Sequence, residues 1–482
     1  MGREMRSLDG RRSRWMQIMN SRPPDQAALR SLTPHPDPLE ASAVARIQQR
    51  LLILLVVIQI LGGIGMAIGL AVGALLLSEL AGRDWVAGLG ASVSIVGGAL
   101  LAIPATHLMQ ARGRRPGMVL VYLMGALGAV IVVTATLTDS AILALAGLFL
   151  FGGGSAANLQ ARYTAVDLVE PSRRGRHLAL VVWAATIGAV AGPNLSSAAG
   201  NLASSFNAPE MAGPFGISTV VFLVAAVVIW ALMRPDPLLL ARRRVSALAA
   251  DTSTAFDPSR GEKTDNGTSE RPTGSVRRTP RAFRYAARQV RANPAARLGI
   301  GAVAVGHAVM VAVMAMTPVH IDHVMHHHDQ TVVLQVVGVV LSLHIAGMYA
   351  FSPIVGWATD RWGSRQIILV GVGFLLAACG FSATSGSNTV RLTIGLTLLG
   401  LGWSCTMVAG STLLTSAVEV QIRPIVQGLS DVAMGFAGAV ASGLSGFVVQ
   451  GAGYPELSVV AALITVPLIA AIVRTTRITS TE

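Results

Sequence analysis

Cysteine is almost missing from this chain. Only Cys379 and Cys405 occur in 482 residues, both inside apolar runs, so neither a disulfide framework nor a paired-cysteine zinc site can be built. Charge is scarce as well: 13% of residues are Asp, Glu, Lys or Arg, about half the usual share for a soluble domain. Strand-turn-helix nucleophile motifs, phosphate-cradling glycine loops and P-loops are absent, which excludes an enzyme or an ATP-driven pump with a familiar motif and leaves no cofactor to expect. What is present is apolar: 52% hydrophobic residues, 51 glycines and a mean hydropathy of +0.60. A water-soluble core has no use for that much apolar sequence, so the excess must face lipid, and membrane lipid is the first partner to expect. The net charge of +13 would suit a nucleic-acid binder if it were clustered, but the arginines stand at the ends of apolar segments, where they report topology. No nucleic-acid partner is expected.

Twelve segments reach the roughly 20 apolar residues that a bilayer core requires. They cover 51–77, 86–109, 117–137, 141–163, 178–203, 214–233, 298–319, 331–356, 366–384, 391–414, 425–449 and 457–473. Arginine placement orients them, because positive loops stay cytoplasmic. Nine arginines precede the first segment; Arg112, Arg114 and Arg115 follow the second, Arg173, Arg174 and Arg176 follow the fourth, and the loop after the sixth is richer still. All fall on one side, so both termini are expected in the cytoplasm of a cell with the chain in its inner or plasma membrane. The expected organisation is a disordered tail over 1–50, a six-helix bundle over 51–234, a basic cytoplasmic linker over 235–296, a second six-helix bundle over 297–474 and a short tail over 475–482. Within the linker, residues 281–291 alternate basic and apolar residues at helical spacing, which fits either a helix on the anionic inner leaflet or a solvated basic helix.

Six spans, a linker and six more spans invite a search for duplication. After the eighth segment the chain reads Gly356-Trp-Ala-Thr-Asp360-Arg361-Trp-Gly363-Ser364-Arg365, and after the second it reads Thr106 through Gln110-Ala111-Arg112-Gly113-Arg114-Arg115. These strings resemble the signature G-x-x-x-D-R-x-G-R-R of the major facilitator superfamily. The C-terminal copy departs from it only at Ser364; the N-terminal copy has Thr106, Gln110 and Ala111 for the opening glycine, the aspartate and the first arginine. The resemblance implies an all-α membrane protein, twelve transmembrane helices in two six-helix bundles, transporting by alternating access. It also implies a gating role for Gly356, Asp360, Arg361, Gly363 and Arg365, and for Gly113, Arg114 and Arg115. A carboxylate and guanidinium groups at a helix turn can pair with neighbouring helix ends in one state and release them in another. In the fifth segment Gly188, Gly192 and Pro193 resemble part of a motif of exporters in that superfamily, and close helix packing explains the same residues.

Candidate substrate residues are few. Arg162, Asp167, Glu419 and Asp431 fall near cytoplasmic helix ends, no carboxylate falls near the midplane, and Gln59 and Asn158 remain as neutral polar groups. The seventh segment carries His307, Met310 and Met314 on one face, and the eighth carries His344 and Met348 one turn apart. Counting rise, Met310 and His344 both lie about 18 Å from the inner boundary. Thioethers with imidazole suit a soft cation such as Cu(I), and the M-x-x-x-M and H-x-x-x-M pairs resemble those of the superfamily's copper-importing branch, which has relatives that move organic vitamins. Two substrates follow: a transition metal, with His307, Met310, Met314, His344 and Met348 along the path, or a small organic compound with the methionines as apolar wall. Between these segments, His320, His323, His326, His327 and His328 could gather a metal ion at the outer mouth, or form a pH-sensitive or merely polar loop. Both halves lie in one chain, so a monomer is expected.

Overall fold

The computed structural model describes residues 38–165, 167–169, 174–254, 280–419 and 422–479. The tail up to residue 37, Arg173, the middle of the linker over 255–279 and the last three residues lie outside these. The described residues fold into helices, and no strand occurs among them. Eleven helical stretches are long and apolar enough to cross a membrane. They are Ser42–Ala81, Asp84–Arg112, Arg114–Leu137, Ala141–Thr164, Ala212–Arg244, Pro294–Val324, Gln330–Trp362, Ser364–Ala383, Thr389–Ser416, Ile425–Ala452 and Tyr454–Arg474. The remaining position, the fifth, is filled by Arg174–Asn194 and Ser196–Ser205, which break at Leu195 just after Pro193. Proline removes one ladder hydrogen bond, so a break at that point has a direct cause.

Side chains set the starts of several spans. Ser140 accepts from the Leu143 N–H, and Asn388 from that of Arg391 at 3.0 Å. Asn293 accepts from Ala295 and Ala296 while its own amide donates to the Ala417 carbonyl, joining the start of the seventh span to the end of the tenth. Each such cap satisfies an amide that the helix leaves without an internal partner.

Two expected boundaries move. The first span belongs to a helix that already runs from Pro38, so residues 38–50 are helical rather than part of a disordered tail. The linker is helical at both ends, over Pro237–Thr254 and Pro280–Ala292. The second of these helices packs its apolar face on protein. Its Ala286 and Val290 are buried against Ala296, Leu414, Val418, Ile422 and Val426, while Arg284, Arg288 and Arg291 stay exposed. The alternation that suggested a lipid surface is met by protein, because the ends of the seventh, tenth and eleventh spans present an apolar shelf.

In the first half, Phe151, Phe215, Phe222 and Tyr122 interlock with ring centroids 5.5 to 5.9 Å apart. These rings need glycine opposite them: a β-carbon on Gly65 would meet the Phe222 ring at 2.5 Å. The fifth span lies directly on the first, where a β-carbon on Gly188 would strike the Ile60 carbonyl and one on Gly192 would come within 2.8 Å of that of Ile64. Gly188 and Gly192 thus serve close helix approach.

The halves meet through the second and eleventh spans and through the fifth and eighth. Taking the face that carries the linker as one end of the molecule, these contacts run from mid-depth to the far end. Trp85 stacks on Phe447 at 5.1 Å, Ser442 donates to the Gly88 carbonyl, Ser92 to that of Ala439, and Gln450 accepts from the Trp85 N–H. Asn194 donates to Ser342, which donates to the Val190 carbonyl.

Candidate substrate cavity

Between the halves lies a cavity of about 330 Å³ that runs from Arg162, toward the linker end of the fourth span, to Ala74 and Gly90, at the depth of those seam contacts. The first, second, fourth and fifth spans supply one wall, and the seventh and eighth supply the other. Most of the lining is apolar. Met66, Met310, Met314 and Met348 carry thioethers into it, and Leu70, Ile95, Leu341 and Ile345 fill between them. Polar groups are few: Asn158, Arg162, Thr186, His307 and Tyr349, with no Asp or Glu among the described lining residues.

Each polar group is held by its helix. Asn158 and Arg162 stand one turn apart on the fourth span and therefore share a face. The Oδ1 atom of Asn158 and the Nε atom of Arg162 are both buried without a hydrogen-bond partner. Gly62 makes room here, since a β-carbon on it would meet the Tyr122 hydroxyl at 2.6 Å and Asn158 Oδ1 at 2.8 Å. His307 is fixed from behind: the Trp403 indole N–H donates to its Nδ1 at 3.0 Å. Indole N–H only donates, so Nδ1 must accept and the neutral ring carries its proton on Nε2. Tyr349 packs edge-on against the same indole at 5.6 Å.

The histidine and methionine set is thus divided. His307, Met310, Met314 and Met348 share the cavity, but His344 does not line it. Its ring is fully buried, with Nδ1 bonded to the Leu396 carbonyl of the tenth span at 2.7 Å and Nε2 left without a partner. Four residues advance the helix by about one turn plus 40°, an offset that lets Met348 face the cavity while His344 points to the neighbouring span. Gln59, also fully buried and unpartnered at both amide atoms, lies outside the lining too.

Nor do the five histidines near the far end converge. His320 is still inside the seventh span and stacks on Tyr454 at 4.2 Å; His323 lies 3.5 Å from Asp84. His326 turns back to the His323 carbonyl and packs on the His327 ring, and His328 is exposed. Among the described residues no three His, Cys, Asp or Glu side chains come together to hold a metal ion. His320 and His323 leave the helix about 300° apart, and His326, His327 and His328 lie in the turn beyond its end, so density along the chain does not become a cluster in space.

At the linker face both loop glycines adopt left-handed backbone, Gly113 at φ +98° and Gly363 at φ +94°. The duplicated turn is therefore a duplicated conformation. The profile of the Major Facilitator Superfamily matches residues 85–334 and 328–481. The chain belongs to the Major Facilitator Superfamily. It is 33% identical over 426 residues to the uncharacterised MFS-type transporter YdeG of Bacillus subtilis, covering 88% of this chain and 91% of that one. It is 24% identical to the riboflavin transporter RfnT of Brucella anthropi, over 87% of this chain and 95% of that one. Among solved structures, a bacterial homologue of the human lysosomal transporter Spinster in its inward-facing, unoccupied conformation superposes with a TM-score of 0.65. The two share 14% identity, over 89% of this chain and 97% of the other.

The two superfamily loops differ in what holds them. Beside Gly113, Arg114 is paired with Asp167, Nε to Oδ2 at 2.8 Å and Nη2 to Oδ1 at 3.1 Å, and also donates to Gln160. Asp236, at the start of the helix Pro237–Thr254, accepts from the Arg115, Leu238 and Leu239 amides. Arg115 itself lies over the Trp230 ring at 5.5 Å, with Arg234 on that ring as well. Around Gly363, Asp360 and Arg361 are exposed, Asp360 makes no hydrogen bond or ion pair among the described residues, and a β-carbon on Gly356 would meet nothing within 4 Å.

Asp236, Met66, Tyr349 and Trp403 were not singled out as site residues from the sequence, and Arg162 was weighed there only as an ionisable group near a cytoplasmic helix end. For Arg162 a signal existed: a lone cation one turn from Asn158 in an otherwise apolar span.

Proposed function

We propose that this superfamily member is a secondary transporter of the cell membrane that moves a small organic solute by alternating access. It works as a single copy, with the linker face in the cytoplasm. The cavity between the halves carries the reading: it is large enough for a compact organic molecule, apolar over most of its wall and provided with a few placed polar groups. The contacts across the seam near the far end support a state closed on that side. The arginine-rich linker face supports its cytoplasmic placement. RfnT, a relative over nearly its whole length, bears a riboflavin-transporter name, which supports an organic cargo. Four thioethers and the His307 imidazole also favour a soft cation, and Cu(I) is the second reading.

Thermal unfolding of the detergent-purified protein tests both. A ligand that binds only the folded state at a hundred times its Kd adds about 2.7 kcal/mol of stability. An upward shift with flavins, nucleosides or aromatic acids that Met314→Trp abolishes supports the organic reading. A shift with Cu(I) alone, lost when Met310 and Met314 become Leu, replaces it with the second.

A further inference from the structure

We infer that the cargo is an organic anion, a flat apolar body bearing a carboxylate or similar acidic group, and that Arg162 is the residue that binds the acid. The inference rests on the organic-solute reading of the cavity and narrows it.

A guanidinium in an apolar wall is costly unless something offsets it. Arg162 lines the cavity half-buried, its Nε donor is buried and unpartnered, and no carboxylate shares the lining. Asp431 of the eleventh span and the Tyr349 hydroxyl are near enough to act on it electrostatically. Among the described residues, however, no ion pair joins Arg162 to Asp431, whose side chain is exposed. A guanidinium is complementary to the two oxygens of a carboxylate, which its two Nη groups can engage in parallel. Asn158, one turn away on the same face, brings an amide whose NH2 is the group that can donate to an acid, its Oδ1 being turned toward Gly62.

The opposite half supplies a second donor. Trp403 fixes the neutral His307 ring with its proton on Nε2, so that half offers a donor without adding a charge. Apart from Thr186 and Tyr349, the rest of the wall is thioether and aliphatic carbon, a surface for a flat ring system more than for a sugar or a peptide. A dry wall also strengthens the pairing of the acid with Arg162 relative to water.

Matched acid and amide pairs isolate the charge from the shape: 2-naphthoate with 2-naphthamide, and indole-3-acetate with indole-3-acetamide. Binding to the purified full-length transporter is measured by thermal shift and by calorimetry, in the wild type, Arg162→Gln and Arg162→Lys. The acid of a pair should bind at least about tenfold more tightly than its amide, the value of one charge-assisted hydrogen bond. Arg162→Gln should bring the two within about twofold by losing acid affinity alone, and Arg162→Lys should keep part of the preference. Unchanged amide binding in Arg162→Gln shows that this variant is folded. Equal binding of acid and amide in the wild type overturns anion recognition and leaves the organic-solute reading standing. Loss of both ligands equally in Arg162→Gln and Arg162→Lys also overturns it, because the arginine would then be holding the wall and not the acid. Failure of every acid and every amide to bind overturns both readings.

Discussion

The loop after the second span and the loop after the eighth share a left-handed glycine and little else. Around Gly113 the signature aspartate is missing, Gln110 standing in its place, yet the turn is held by Asp236 and by the Arg114–Asp167 pair. Its carboxylate comes from 123 residues further along, from Asp236 at the head of the linker helix, and sits where a β-carbon on Gly113 would meet it at 2.5 Å. Around Gly363 the signature is nearly complete, but Asp360 and Arg361 face solvent. A sequence motif and the chemistry associated with it can therefore separate: one half keeps the letters, and the other recovers the carboxylate from a different segment.

Breaking the tied loop should cost the most. Arg114→Ala leaves Asp167, whose side chain is only 12% exposed, without its bidentate partner, and should lower stability by about 3 kcal/mol. A fall in the melting temperature of the detergent-purified protein reads this directly; a midpoint within a degree of wild type would remove the structural role assigned to the pair. Gly113→Ala comes next, at about 2 kcal/mol, because the new methyl meets both an unfavourable φ and the Asp236 carboxylate. Asp236→Ala removes an N-terminal cap and the acceptor for the Arg115 amide, about 1 to 2 kcal/mol. Combined with Gly113→Ala it should cost less than the sum, since the clash disappears with the carboxylate. Gly363→Ala sharpens the contrast: the φ penalty of about 1 kcal/mol remains, but its nearest neighbour is the flexible Gln366 side chain. Smallest on stability is Asp360→Asn, within about 0.5 kcal/mol for an exposed group. If Asp360 latches the linker face in the alternate state, that variant slows turnover in proteoliposomes and leaves ligand affinity unchanged. Equal turnover of the variant and the wild type would withdraw the latch.

Apolar segments and arginine loops made the spans and the duplication legible, because lipid forces helices to be long, apolar and self-satisfied in hydrogen bonds. Periodicity also placed His307, Met310 and Met314 on one face, and all three line the cavity. It did not reveal that His344 turns to the Leu396 carbonyl, since a helix face does not say which neighbour it meets. The Arg281 to Arg291 stretch shows the same limit. Its alternation announced an apolar face, but a lipid surface and a protein shelf demand the same pattern, and only packing decided for Ala296, Leu414 and Val426. Arg162 was visible as a charge near a span end and not as a cavity wall, because depth along one helix says nothing about the gap between two bundles.

By itself the sequence determined the solvent, the helical class, the number of spans and the paired halves, all of which follow from local composition and the hydrogen-bonding demands of a membrane interior. Tertiary structure alone decided which polar groups meet. Asp236 with the Gly113 turn, Trp403 with His307, and Arg162 facing an apolar space between the halves are separated by tens to hundreds of residues along the chain. Such contacts are set by how whole helices pack, and no local pattern along the chain encodes them.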